Sequence, residues 1–71
     1  MINRKYLKEK IKEHTGETKI MFACKKLSQE CGIDYSTIYR FTKFTIPNEE
    51  SLIKILEVLK LDINTLFNIQ K

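Results

Sequence analysis

The sequence has little of the chemistry that metal sites and enzyme active sites require. Its 71 residues include one histidine, two cysteines, two glycines, one proline and no tryptophan. His14, Cys24 and Cys31 do not have the close spacing of zinc ligands. Seven residues apart on one helix, the two cysteine α-carbons would be about 10 Å apart, too far for a disulfide. We therefore expect reduced structural cysteines, no metal and no cofactor.

Long apolar runs are also missing from the chain. The longest, residues 20–24, is far shorter than the roughly 20 residues of a transmembrane helix. The start, Met1-Ile2-Asn3-Arg4-Lys5, lacks the apolar stretch of a secretory signal, so we expect a cytoplasmic protein that does not bind membranes. No phosphate-binding loop and no converging set of catalytic groups is visible, so we do not expect an enzyme.

The charge of the chain favours a polyanionic partner. Thirteen Lys and Arg residues against nine Asp and Glu residues give a net charge of +4. Residues 1–26 contain eight basic and three acidic side chains, residues 27–43 two of each, and residues 44–71 three and four. The positive charge is therefore concentrated in the first third of the chain, where we expect a solvated face that steers a polyanion at long range.

Apolar residues at spacings of three and four predict an all-α fold and a single domain over residues 1–71. The predicted helices span about 4–14, 19–31, 35–43, 49–60 and 63–69. Four of them follow residues that make good N-caps: Asn3, Asp34, Asn48 and Asp62. Gly16 and Gly32 are natural C-terminal breakers. In the first helix Leu7, Ile11 and His14 are expected to face inward, and the wide apolar stripe of the fourth makes that helix the expected centre of the bundle.

The segment 24–43 has the pattern of two short helices that cross steeply through a tight turn. The apolar or small positions are Leu27, Ser28, Cys31, Ile33, Ile38 and Phe41. Gly32 lies where the chain must turn sharply, because a residue without a β-carbon is favoured there. The pattern predicts a helix-turn-helix. The side chains that face away from Ile38 and Phe41 are Tyr35, Ser36, Tyr39, Arg40 and Lys43.

Four phrases of the sequence carry a family resemblance. They are Leu27-Ser28-Gln29-Glu30-Cys31-Gly32-Ile33, Ser36-Thr37-Ile38, Pro47 followed by the stretch 52–59, and Leu61-Asp62-Ile63-Asn64-Thr65-Leu66-Phe67. From Ala23 to Phe67 the chain resembles the Cro/CI-type helix-turn-helix family of phage repressors and their bacterial relatives. The resemblance implies a compact five-helix lambda-repressor-like domain, in which the second helix of the helix-turn-helix enters the major groove of DNA.

The resemblance also implies roles for individual residues. It places base contacts at Tyr35, Ser36 and Tyr39, and we expect Arg40 to contact a guanine or a phosphate. The expected phosphate contacts are Lys19, Lys25, Thr42, Lys43 and Thr45. The chain departs from the family where it has Cys24 in place of Gln, Thr42 in place of Glu and Phe44 in place of Gly. Tyr35 and Tyr39 also fit ordinary surface aromatics, and Asp34 fits a helix cap better than a reader of cytosine.

Two functions fit this sequence. The first is a sequence-specific DNA-binding transcriptional regulator, a phage-type or mobile-element repressor that binds double-stranded operator DNA as a homodimer. The second is an antirepressor-like modulator on the same scaffold that binds another regulator as its protein partner, because a fold alone does not fix a function. Phe44 and Ile46 bear on the choice. They either tuck under the fourth helix or form an exposed apolar protrusion that suits a protein partner.

Overall fold

The first helix begins and ends at the signals that its sequence provides. The computed structural model describes residues 2–67, and helix α1 spans Arg4–Thr15. The side-chain oxygen of Asn3 accepts a hydrogen bond from the backbone N–H of Tyr6 at 3.0 Å, which pairs one amide of the first turn. Gly16 follows the helix in the left-handed conformation with φ 75°, where a side chain would be strained.

Four further helices follow in the described part of the chain. They are α2 (Ile20–Cys31), α3 (Tyr35–Phe41), α4 (Glu49–Leu59) and α5 (Ile63–Leu66). The ends of α1 to α4 lie within two residues of the predicted ends, while the last two residues of the predicted fifth helix, 68 and 69, lie outside the described residues. Within residues 2–67 every regular element is a helix, and none of them is long and apolar enough to cross a membrane. The radius of gyration of 11.1 Å is that of a compact chain of this length.

Three of the four predicted N-cap side chains bond to a backbone amide, and one does not. Asn48 accepts from the N–H of Ser51 at 2.9 Å, and Asp62 accepts from the N–H of Asn64 at 3.1 Å. Asp34 stands at the N-cap position of α3, but its carboxylate accepts from the hydroxyl of Ser36 instead of an amide. The predicted side-chain cap at Asp34 is therefore wrong, because a nearby hydroxyl competes for the same carboxylate.

Helices α1 and α2 form the centre of the bundle, and the other helices pack against them. The side chains with no exposed surface are Leu7, Ile11, Ala23, Cys24, Leu27, Ile38, Phe41, Ile55 and Leu66. Helix α2 packs against α1, α3 and α4, and α1 also packs against α4 and α5. The prediction that the fourth helix is the centre of the bundle is wrong, since Ile53 in the middle of α4 is 46% exposed.

His14 is at the surface and does not face the core as predicted. Its Nε2 lies 2.8 Å from Oε1 of Glu30, so the end of α1 is joined to the end of α2 by a polar pair. Lys26 on α2 and Glu17, between α1 and α2, form a second pair in which Nζ and Oε2 are 3.1 Å apart. Because these side chains are substantially exposed, the pairs add little to the free energy of unfolding.

The start of α1 also holds the end of the described chain. The backbone N–H of Asn3 donates to the carbonyl of Leu66 at 2.6 Å. The phenol oxygen of Tyr6 accepts from the N–H of Asp62 at 2.9 Å. These bonds fix α5, which is a single helical turn, against α1.

We predict that Lys60→Gly stabilises the protein. Lys60 ends α4 in the left-handed conformation, with φ 52° and ψ 49°, and this conformation costs a residue with a β-carbon about 1 kcal/mol. Urea denaturation of Lys60→Gly should show a free energy of unfolding higher by about 0.5–1 kcal/mol. Lys60→Ala is the matched control, because it removes the charge and keeps the β-carbon. An equal rise in both variants would contradict the conformational explanation.

Candidate nucleic-acid interface

Helix α3 is oriented by two side chains on one of its faces. Ile38 and Phe41 have no exposed surface, and Ile33, in the turn before the helix, is 8% exposed. Gly32 makes that turn possible with φ 70°, directly after α2. Since Ile38 and Phe41 lie in the core that α3 shares with α2, the opposite face of α3 is turned toward solvent.

The solvent side of α3 carries a row of two tyrosines and a lysine. The rings of Tyr35 and Tyr39 are stacked, with centroids 5.7 Å apart and an angle of 19° between their planes. The ammonium of Lys43 lies 5.4 Å from the centroid of the Tyr39 ring, within the range of a cation–π interaction. Residues four apart lie on the same side of a helix, which brings the two tyrosines together, and Lys43 reaches the Tyr39 ring from the turn that follows α3. We call these three residues the tyrosine row.

All four residues that we expect to contact bases belong to α3. Tyr35, Ser36 and Tyr39 are partly buried, and Arg40 is exposed. The hydroxyl hydrogen of Ser36 is used in the bond to Asp34, so the Ser36 oxygen has only acceptor capacity left. The structure therefore brings these four side chains together on one short helix, with Asp34 at its start.

The expected phosphate contacts lie on both sides of α3 in the chain. Lys19 precedes α2, Lys25 lies on α2, and Lys43 follows α3, and all three are exposed. Thr45 is partly exposed in the loop between α3 and α4. These residues keep accessible side chains for a polyanion.

Thr42 does not fit the phosphate contact that we expected of it. It is 1% exposed, and its hydroxyl donates to the carbonyl of Tyr39 at 2.6 Å. Its backbone N–H is also used, in bonds to the carbonyls of Ile38 and Tyr39. Neither donor of Thr42 is available to a phosphate, so the expected contact is wrong.

Cys24 lies under the start of α3 and supports it. Its side chain has no exposed surface, and burial raises the pKa of its thiol to about 11. The pKa of the Tyr35 phenol is also raised, first by desolvation and then by the nearby ionisable groups of Cys24 and Tyr39. Tyr35 therefore keeps its hydroxyl proton at neutral pH. In the family that the chain resembles, this position has a Gln that contacts phosphate. In this chain the Cys24 side chain is packed in the core instead.

Arg4 is also part of this region, although no local pattern in the sequence indicates it. Its guanidinium Nη1 donates to the carbonyl of Phe41 and, at 3.1 Å, to the carbonyl of Thr45. The carbonyl of Arg40 accepts from the N–H groups of Lys43, Phe44 and Thr45, which closes the end of α3 into a tight turn. Arg4 thus joins α1 to both sides of that turn. It is one of the eight basic residues of the first third, which we expected to be only a solvated face.

The loop after α3 exposes two large apolar side chains. Phe44 is 71% exposed and Ile46 is 55% exposed. Of the two arrangements that the sequence allowed for them, the structure has the exposed one. Phe44 is the residue after Lys43, and Ile46 follows two positions later. The segment after α3 therefore exposes apolar as well as basic side chains.

Comparison with known proteins does not assign a function to this surface. No family model matches the chain, and no match was found among curated proteins or solved structures. Residues 2–67 form no pocket and contain no group of three His, Cys, Asp or Glu side chains arranged for a metal ion. The outer face of α3 is therefore the feature on which we base a functional proposal.

We predict that Arg4→Met destabilises the protein by about 2 kcal/mol, because two carbonyl oxygens lose hydrogen bonds from a charged donor. Met keeps most of the apolar length of the side chain, so the loss reports mainly on these bonds. Lys5→Met is the matched control, since Lys5 is exposed on the same turn of α1. Urea denaturation measures both variants. Equal free energies of unfolding for the two would show that Arg4 does not hold the end of α3.

Proposed function

We propose that the protein is a sequence-specific DNA-binding transcriptional regulator, and that α2 and α3 form a helix-turn-helix in a lambda-repressor-like domain. Helix α3 is the one that enters the major groove, which is wide enough to admit a helix and displays a different pattern for each base pair. Following the resemblance, we propose a repressor of the phage or mobile-element type that occupies operator DNA as a homodimer.

The observation that carries this proposal is the outer face of α3. It combines the stacked tyrosines with the cationic groups of Arg40 and Lys43 on an exposed surface, while Ile38 and Phe41 anchor the opposite face. Aromatic and basic side chains that project from one rigid helix are suited to contact base edges and phosphates together. The buried anchors keep α3 from turning within the groove.

The surrounding charge supports the same partner. Lys19 and Lys25 are exposed at and near the start of α2, and the chain has a net charge of +4. Neutralising phosphates releases counterions from DNA, so binding through these lysines should weaken as salt rises.

The test begins with selection of bound duplexes from a random-sequence double-stranded DNA library. We expect one family of sequences to be bound about 10³-fold or more tightly than random duplex. Affinity, measured by fluorescence anisotropy, should fall steeply with salt. Tyr39→Ala should lower the ratio of affinities for the selected and random duplexes by about tenfold. Lys43→Gln should weaken binding to all duplexes alike and lower the slope of log affinity against log salt by about one.

Lys60→Gln is the control for charge, because Lys60 is an exposed lysine at the end of α4 outside the expected contacts. Its salt slope should equal that of the unaltered protein. Failure to select any preferred duplex, or binding that does not depend on salt, would contradict the proposal. For Arg40→Ala, a lower salt slope assigns Arg40 to a phosphate, whereas a relaxed preference at one base pair assigns it to a base.

A second candidate function is favoured by the exposure of Phe44 and Ile46. Two large apolar side chains beside a basic helix end form a surface that another regulator could cover. In this function the protein is an antirepressor-like modulator that acts through a protein partner, using the same side of the domain.

This second function predicts a clear result for the double variant Phe44→Ser with Ile46→Ser. A single stoichiometric partner, captured by the unaltered protein from its host cells, should no longer be captured. Ile63→Ser is the control, because Ile63 is also half exposed, at 50%, but lies on α5. Thermal melting should show that both variants remain folded, since the removed side chains are largely outside the core. Capture that survives the double variant would contradict the second function.

A further inference from the structure

The tyrosine row is an apolar surface that is already ordered before any ligand binds. Tyr35 and Tyr39 pack against the core on one side and against each other through their stacked rings. The ammonium of Lys43 contacts the Tyr39 ring from the turn that follows α3. Fewer rotamers are therefore lost when this surface meets a ligand, which favours binding through it.

Each tyrosine of the row can offer a ligand an aromatic ring and a hydroxyl. Among the described residues no hydrogen bond reaches the phenol oxygen of Tyr35 or Tyr39, and the two rings are stacked on each other. Beside them, the donor of Ser36 is occupied by Asp34. The central part of the α3 surface thus offers two aromatic rings for apolar contact, each with a hydroxyl that can also pair with a base.

The major groove has one apolar feature that can meet such a surface. Guanine, cytosine and adenine present donors and acceptors there, whereas thymine presents an acceptor and a 5-methyl group. The two ring centroids are 5.7 Å apart, and base pairs along one strand are separated by about 3.4 Å. Two rings at that separation can contact methyl groups that are one or two base pairs apart.

We propose that Tyr35 and Tyr39 act as a pair that reads thymine 5-methyl groups on neighbouring base pairs. This inference rests on the DNA-binding function proposed above and specifies what α3 recognises. Lys43 holds the helix to the DNA backbone, and Arg40 contacts a phosphate or a base beside these thymines. The recognised half-site therefore contains two thymines, adjacent or separated by one base pair.

The experiment replaces thymine with deoxyuridine in the selected duplex, one position at a time on both strands. A uracil–adenine pair keeps every hydrogen-bonding group of thymine–adenine and lacks only the methyl group. We expect about fourfold weaker binding at two positions no more than two base pairs apart, the effect of losing one buried methyl-sized group at each. All other thymine positions should be insensitive. Because the protein itself is unaltered, the result does not depend on the folding of a variant.

Variants then connect each sensitive position to its tyrosine. Tyr39→Phe should keep the sensitivity to uracil, since the ring remains, while Tyr39→Ala should remove it at one of the two positions. Tyr35→Phe and Tyr35→Ala should behave in the same way at the other. Thr37→Ala is the matched control, because Thr37 lies on the same helix outside the expected contacts, and it should leave both thymine effects in place. Circular dichroism of each variant verifies that the helices are retained.

The outcomes separate this inference from the function on which it rests. A preferred duplex that binds equally well with uracil at every thymine position overturns methyl reading and leaves sequence-specific DNA binding intact. A preferred half-site that lacks two thymines within two base pairs of each other also overturns methyl reading and leaves sequence-specific DNA binding intact. Sensitivity to uracil that persists in both Tyr39→Ala and Tyr35→Ala assigns the methyl contacts to other residues and also overturns the inference. If no duplex is preferred, the proposed function and the inference fail together.

Discussion

The seven-residue length of α3 is the constraint on which the rest of this surface depends. A helix of two turns is unstable in water by itself, so its shape has to come from contacts with the rest of the domain. Ile38 and Phe41 supply them on one side, and Arg4 binds the carbonyl of Phe41 at the end. The tyrosine row is therefore ordered when the protein folds.

Local sequence signals predicted the helices well because the features that end a helix are themselves local. Asn3 accepts from an amide three residues later, and Gly16 takes the conformation that ends α1 without a side-chain clash. The same reasoning found the buried positions of α3 from their spacing. It was less successful for Asp34, where two polar groups close in sequence compete for one carboxylate.

The parts that the sequence did not predict depend on contacts between distant positions. Arg4 bonds to carbonyls 37 and 41 residues away, and no pattern in α1 separates it from the solvated lysines beside it. The centre of the bundle was misplaced for a related reason, since an apolar stripe such as that of α4 shows what a helix can bury and not how many neighbours it has. Thr42 is a local exception, because its hydroxyl donates to the carbonyl of Tyr39 only three residues earlier.

The buried cysteine under α3 has a further consequence for the conditions in which the domain keeps its shape. Peroxides and disulfide reagents attack the thiolate form of cysteine, and a thiol with a pKa of about 11 is almost entirely protonated in a neutral cell. Cys24 also has no surface at which an oxidant could reach it. Cys24, in the contact between α2 and α3, should therefore resist oxidation while the domain is folded.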